Sequence, residues 1–117
     1  MERSPLRILF LCQWGASTSY IETRLVEELK KHGVEAEIRS LPIAGGVGES
    51  FYEVDYSKVD VILIAPQVKY LVSKVEPRAK AYNIPVVVIP PIVYGRLDTK
   101  QMVALILECL KDRQKSK

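Results

Sequence analysis

Cys12 sits between a short apolar run, Arg7-Ile-Leu-Phe-Leu11, and a loop rich in small and hydroxyl residues, Cys12-Gln-Trp-Gly-Ala-Ser-Thr-Ser19. The apolar run reads as a buried strand, and the residues after the loop read as a helix. Cys12 is therefore expected directly after a strand, in a loop that feeds a helix N-terminus. Backbone N–H groups there lack intrahelical partners, and the helix dipole adds positive potential. A phosphate or a thiolate suits such a place. The same field is expected to lower the thiol pKa and supply a thiolate nucleophile. Gly15 lets backbone approach an anion closely. Ser17, Thr18 and Ser19 offer hydroxyl donors and compete for the helix cap, with Ser19 and Glu22 forming a candidate capping box.

A lone cysteine at a strand end is often no more than a small buried hydrophobe. The strand–Cys–Gly–hydroxyl–helix context favours chemistry instead. Small cysteine phosphatases of similar organisation place an Arg six residues after the nucleophile to grip phosphate bidentately. Here that position is Thr18, and the next Arg is Arg24, inside the helix. Hydrolysis also wants a general acid for the leaving group, and no loop Asp is well placed for it. The loop is thus read as one that accepts and holds a phosphoryl group without hydrolysing its ester.

The elements that must position this loop follow from periodicity. A helix is predicted over about residues 18–32, with Ile21, Leu25, Val26 and Leu29 at helical spacing and Gly33 as its stop. Val34–Ser40 alternates apolar and charged residues, as a half-exposed edge strand does. Residues 42–50 are Gly-rich and read as loop. Val59–Ala65 reads as the central strand, and Pro66 as the first residue of a helix lined by Val68, Leu71, Val72, Val75 and Ala79. Pro77 is expected to bend or end that helix. Pro85–Ile89 is another buried strand, and Asp98 caps a last helix carrying Met102, Val103, Ile106, Leu107 and Leu110.

Four strand–helix alternations require a parallel sheet with right-handed crossovers. The predicted fold is an α/β, single-domain, three-layer sandwich over residues 1–117, with four parallel strands in the order 2-1-3-4 and helices on both faces. Ligands bind such sheets beyond the carboxyl ends of the strands, where the winding direction switches. That point lies between strands 1 and 3, so the Cys12 loop is expected to face Ala65-Pro66-Gln67.

The 117 residues are 48% hydrophobic and 26% charged, with a formal charge of +3, which is ordinary globular composition and too small an excess to argue for nucleic acid. No apolar run reaches the length of a membrane span, and no secretory core opens the chain. The two cysteines, in a loop and a helix, fit free thiols in a reducing cytoplasm. No metal site and no cofactor motif is readable.

Three segments together resemble a known family. Cys-x-x-Gly-x-Ser-Thr-Ser after the first strand is similar to the phosphocysteine loop of lactose/cellobiose-type (chitobiose-type) phosphotransferase system B subunits. Ala65-Pro-Gln67 looks like the family's Gly-Pro-Gln, and Tyr94-Gly95 with Asp98 resembles its Tyr-Gly-x-x-Asp turn. The resemblance implies a cytoplasmic phosphotransferase in which Cys12 takes a phosphoryl group from a phosphohistidine of the A component (EIIA). It then passes the group to a sugar held by the membrane C component (EIIC), such as the β-linked disaccharides cellobiose, chitobiose or lactose. By the same resemblance Gln13, Trp14, Gly15, Ala16, Ser17, Thr18 and Ser19 cradle the phosphoryl group, and Pro66, Gln67 and Tyr94 flank the pocket. Gln13, Trp14, the long 42–52 loop, Ala65 and Thr99 depart from the family pattern and bear on partner and sugar choice. The alternatives are a low-molecular-weight phosphatase or arsenate-reductase-like enzyme, and a non-catalytic regulatory module of the same fold.

The remaining residues have plainer readings. His32 is expected at the C-terminus of the first helix, where a cation is favoured. Cys109 is expected to line the core, and Tyr52 and Tyr56 to anchor the Gly-rich loop. Trp14 reads equally as packing or as a docking anchor. Lys69 and Arg96 are solvated charges that could also draw in a phosphodonor.

Overall fold

The computed structural model describes residues 5–13, 17–43 and 55–115. Strands β1 (Leu6–Gln13), β2 (Ala36–Ile43), β3 (Val61–Ile64) and β4 (Val86–Val88) form one parallel sheet in the order β2-β1-β3-β4. Helices α1 (Ser17–Lys31), α2 (Val72–Ala81), α3 (Pro91–Gly95) and α4 (Thr99–Lys115) complete the fold. Helix α1 packs against α4. The right-handed crossover from β3 to β4 runs opposite to that from β1 to β2, which puts α2 on the other face. This is the expected sandwich and strand order.

Burial explains the central strands. Every residue from Ile8 to Cys12 and from Val61 to Ala65 is buried, as both faces of a covered parallel sheet require. Ile21, Leu25 and Leu29 of α1, Val75 and Ala79 of α2, and Met102, Val103 and Ile106 of α4 close on them. The edge strand β2 alternates half-buried Ala36 and Ile38 with exposed Glu37 and Arg39, as its sequence indicates.

Four local expectations need correction. Strand β2 runs to Ile43 and not to Ser40. Pro42 is tolerated because β2 has a single neighbour, and in the β1–β2 register its missing N–H falls on the open side of the edge strand. No α-helix stands between β2 and β3 among the described residues, where the crossover holds only a 3-10 turn, Tyr56–Lys58. Pro66 does open a helical segment, but Pro66–Leu71 is 3-10 and breaks at Val68 (φ −119°, ψ 26°), so the α-helix starts at Val72. From that start α2 continues through Pro77 to Ala81.

Three chain reversals share one device, in which the residue after a helix takes a left-handed backbone and the next N–H returns to a carbonyl five residues back. Gly33 (φ 78°) ends α1 with Val34 N–H donating to Leu29 O at 2.9 Å. Asn83 (φ 57°) ends α2 with Ile84 N–H donating to Ala79 O at 2.8 Å. Leu97 (φ 52°) follows α3 with Asp98 N–H donating to Val93 O at 2.9 Å. His32 is exposed in the first of these turns, its backbone N–H donating to Leu29 O at 3.0 Å.

The amino ends of β1 and β3 are pinned by Asp60. Its carboxylate accepts the Arg7 backbone N–H at 2.8 Å and Arg7 Nε–H at 3.3 Å, while Asp60 N–H donates to Arg7 O at 2.8 Å. The ion pair is partly solvated and contributes little by itself. The backbone bond matters more, because removing the carboxylate strands a strand donor. Nearby, Asp55 caps the Tyr56–Lys58 turn, and the Ser57 hydroxyl bonded to it holds its carboxyl below the usual range. Asp60→Ala is expected to lower stability by about 1–3 kcal/mol. The urea midpoint should fall with an unchanged slope, whereas Asp60→Asn, which keeps an acceptor, should lose less.

Candidate active site at the sheet switch point

The sheet changes winding direction between β1 and β3, and the two carboxyl ends are joined there. Ala65 N–H donates to Leu11 O at 2.9 Å, and Val68 N–H donates to Ala65 O at 3.0 Å. The first bond sets the residue before Cys12 against the residue before Pro66. The second opens the 3-10 segment Pro66–Leu71. One strand further, Ile89 N–H donates to Ile64 O at 2.9 Å and carries the chain into Pro90 and α3.

Cys12 lies inside β1, not after it, paired with Pro42 and 1% exposed. The longer pairing with β2 is the reason. Within the strand Cys12 shares a face with Ile8 and Phe10. Gln13 is the last residue of β1, and Ser17 and Thr18 are the first two of α1. Trp14, Gly15 and Ala16 lie outside the described residues. Ser19 is exposed as the third residue of α1, so it is no helix cap. The Ser19–Glu22 capping box is replaced by a tertiary bond, in which the Ser40 hydroxyl donates to the Glu22 carboxylate and ties α1 to β2.

Pro66 is half-buried and Gln67 exposed at the start of the 3-10 segment. Tyr94 is half-buried on α3, a turn and a half of helix that the sequence reading treated as part of a turn. Asp98 caps α4 as expected, its Oδ1 accepting Gln101 N–H at 3.1 Å. The structure thus brings Cys12, Pro66, Gln67 and the α3 segment with Tyr94 to one end of the sheet. Leu97 is the residue missed. Its left-handed backbone joins α3 to α4 and fixes the Tyr94 turn, and an apolar side chain gives no hint of that conformation.

Two features lie elsewhere. Cys109 is half-buried and packed on the core. It lines an open groove of about 790 Å³ with Glu76, Lys80, Asn83 and Val86, at the opposite end of the sheet from Cys12. Tyr56 is buried with its ring 6.2 Å from that of Tyr82, so it anchors the chain before β3, while Tyr52 lies outside the described residues. Among the described residues no three His, Cys, Asp or Glu side chains gather as metal ligands do, and no helix is long and apolar enough to cross a membrane.

The comparisons decide the family. Residues 7–105 match the family described as PTS system, lactose/cellobiose-specific IIB subunit. The chain belongs to that family. It is 38% identical over 95 residues to the oligo-beta-mannoside-specific EIIB component of Bacillus subtilis strain 168, covering 81% of this chain and 86% of the relative. Two solved structures share the fold. The lactose-specific IIB domain of Streptococcus pneumoniae aligns with a TM-score of 0.67 at 24% identity, covering 91% of this chain and 98% of that one. The cellobiose-specific IIB protein of Borrelia burgdorferi gives 0.69 at 24% identity, covering 96% and 97%. IIB subunits are phosphotransferases that work with A and C components.

The burial of Cys12 generates a prediction that separates folding from chemistry. Cys12→Ser puts a hydroxyl into a buried strand position and is expected to cost about 1–3 kcal/mol. The variant should keep its circular dichroism spectrum and show a lower urea midpoint. An unchanged midpoint would mean that the side chain is solvated.

Proposed function

We propose that this IIB subunit is a phosphoryl carrier whose acceptor is the Cys12 thiolate. The observation that carries the reading is the position of Cys12 at the carboxyl end of β1, at the switch point of the sheet, five residues before α1 begins. Family membership supports it, and so does the Cys-x-x-Gly-x-Ser-Thr-Ser sequence. In the first step Sγ attacks the phosphorus of a phosphohistidine on the A component. The S–P bond forms, the P–N bond breaks, and the imidazole keeps the electron pair. In the second step a sugar hydroxyl on the membrane C component attacks the same phosphorus. The O–P bond forms, Sγ leaves as thiolate, and the hydroxyl proton passes to a base on the C component.

Neither step asks this chain for acid–base chemistry on a poor leaving group. Positioning and charge stabilisation suffice. Backbone N–H groups at the start of α1 and hydroxyls among Ser17, Thr18 and Ser19 would hold the phosphoryl oxygens, with residues 13–16 completing the cradle. Pro66, Gln67 and Tyr94 would flank it. Thr18 stands where a phosphatase has its Arg, which favours retention of the phosphoryl group over hydrolysis. The relative's oligo-beta-mannoside specificity supports a β-linked oligosaccharide as the sugar class. The chain would act as one B domain on the cytoplasmic side, where its donor is made.

Intact-mass spectrometry tests this. Wild type is incubated with phosphoenolpyruvate, the general phosphotransferase components and a lactose/cellobiose-type A component, with Cys12→Ser in parallel. One phosphoryl group on wild type and none on the variant is expected, together with no hydrolysis of an aryl phosphate. Cys12-dependent hydrolysis without a phosphorylated protein would overturn the carrier reading.

A further inference from the structure

Two apolar patterns break at one point, and they break against each other. On α1, positions 22, 25, 26 and 29 form one helical stripe. Leu25 and Leu29 are buried and Val26 is half-buried, but the first position of the stripe is Glu22. On β2, Ala36 and Ile38 face inward and pack on the core, and the next inward position is Ser40. The Ser40 hydroxyl donates to the Glu22 carboxylate, and both residues are half-buried.

The place of this bond matters. Ser40 is the register partner of Phe10, and Cys12 lies two residues beyond Phe10 on the same face. That is about 7 Å along a strand. Glu22 is the sixth residue of α1, so the bond reaches the helix just after the turn whose N–H groups lack intrahelical partners. The pair therefore joins the sheet near the thiol to the helix near its first turn.

Ile21, Leu25 and Leu29 hold α1 on the sheet, but apolar burial is non-directional and tolerates a small slide or roll of the helix. A hydrogen bond demands a narrow distance and angle, so it sets both. Apolar side chains at the two positions would hold the helix as firmly, since replacing both partners of a bond together is often neutral or stabilising. What the polar pair adds is placement. Glu28 gives the contrast. It is buried near the far end of α1, and its ion pair, to Lys31 at 3.7 Å, stays within the helix.

We infer that Glu22 and Ser40 are a positioning pair for phosphoryl transfer. Their bond seats the first turn of α1 so that its backbone donors stand in register with the Cys12 sulfur. The inference rests on the Cys12 carrier reading and adds to it the contact that aligns the two halves of the site.

Initial transfer rates against the concentration of phosphorylated A component test it, with a urea midpoint measured for every variant. Ser40→Ala is expected to lower kcat about tenfold with KM unchanged. The double variant Glu22→Leu with Ser40→Val should lose as much kcat while its urea midpoint stays level or rises. Glu22→Gln keeps an acceptor for the hydroxyl and should retain most of kcat. Glu28→Gln is the control, with a lower midpoint and wild-type kcat. Wild-type kcat in the double variant overturns the inference. So does a loss in Glu22→Gln as large as that in the double variant, which assigns the effect to charge, or a kcat that simply follows the midpoint across the set. Wild type that is never phosphorylated sinks the carrier reading, and the seat is then scored by NMR. Amide shifts of residues 17–20 displaced in Ser40→Ala and unmoved in Glu28→Gln keep the seat, whereas unmoved shifts in Ser40→Ala overturn it.

Discussion

The position of the candidate site depends on β1 being hydrogen-bonded along both edges. One edge carries the register with β2 as far as Gln13 and Ile43, and the other ends in the Leu11–Ala65 bond. Together they leave the Cys12 backbone no freedom, so the thiol sits where the strand puts it. A parallel sheet achieves this at a cost in local order, since each pairing closes a long loop. The offset comes from burial on both faces of β1 and β3, where Ile8–Cys12 and Val61–Ala65 carry no exposed side chain. The same arrangement makes the carboxyl end of the sheet the one place where β1 and β3 hand off to oppositely directed crossovers. In the proposed carrier role, such a fixed post would hold the sulfur in one place for both transfers.

The strand order and the two long helices α1 and α4 were legible because burial and periodicity act together. Val61–Ala65 is apolar throughout and central, whereas the Glu37/Arg39 alternation marks an edge. Gly33 and Asp98 punctuate α1 and α4 through chemistry that a single residue announces. What the chain hid was set by tertiary context. Pro42 reads as a strand breaker until the open side of β2 is known. Pro77 reads as a residue that bends or ends its helix, yet α2 runs on through it to Ala81. Glu22 reads as half of a capping box, yet it reaches Ser40 on the neighbouring strand. Leu97 adopts a conformation that glycine or asparagine would announce and leucine conceals. At the candidate site, the meeting of Cys12 with the Ala65–Gln67 segment was legible from the topology rule, whereas Tyr94 was reached only through the family resemblance. That Cys12 belongs to the strand was not legible, because it depends on how far β2 pairs.

The two ends of the molecule differ in kind. The end opposite Cys12 has an open groove lined by Cys109, Glu76 and Lys80. The Cys12 end gathers the start of α1, the 3-10 segment Pro66–Leu71, and α3 with Ile92 exposed.

The most direct test of the carrier account is a chase. The protein is phosphorylated from labelled phosphoenolpyruvate, freed of the A component, and mixed with vesicles holding the C component and a β-linked disaccharide. The account predicts that label leaves the protein at the rate at which sugar phosphate appears, and that it stays on the protein when sugar is omitted. Label released as inorganic phosphate at the same rate with and without sugar would contradict it.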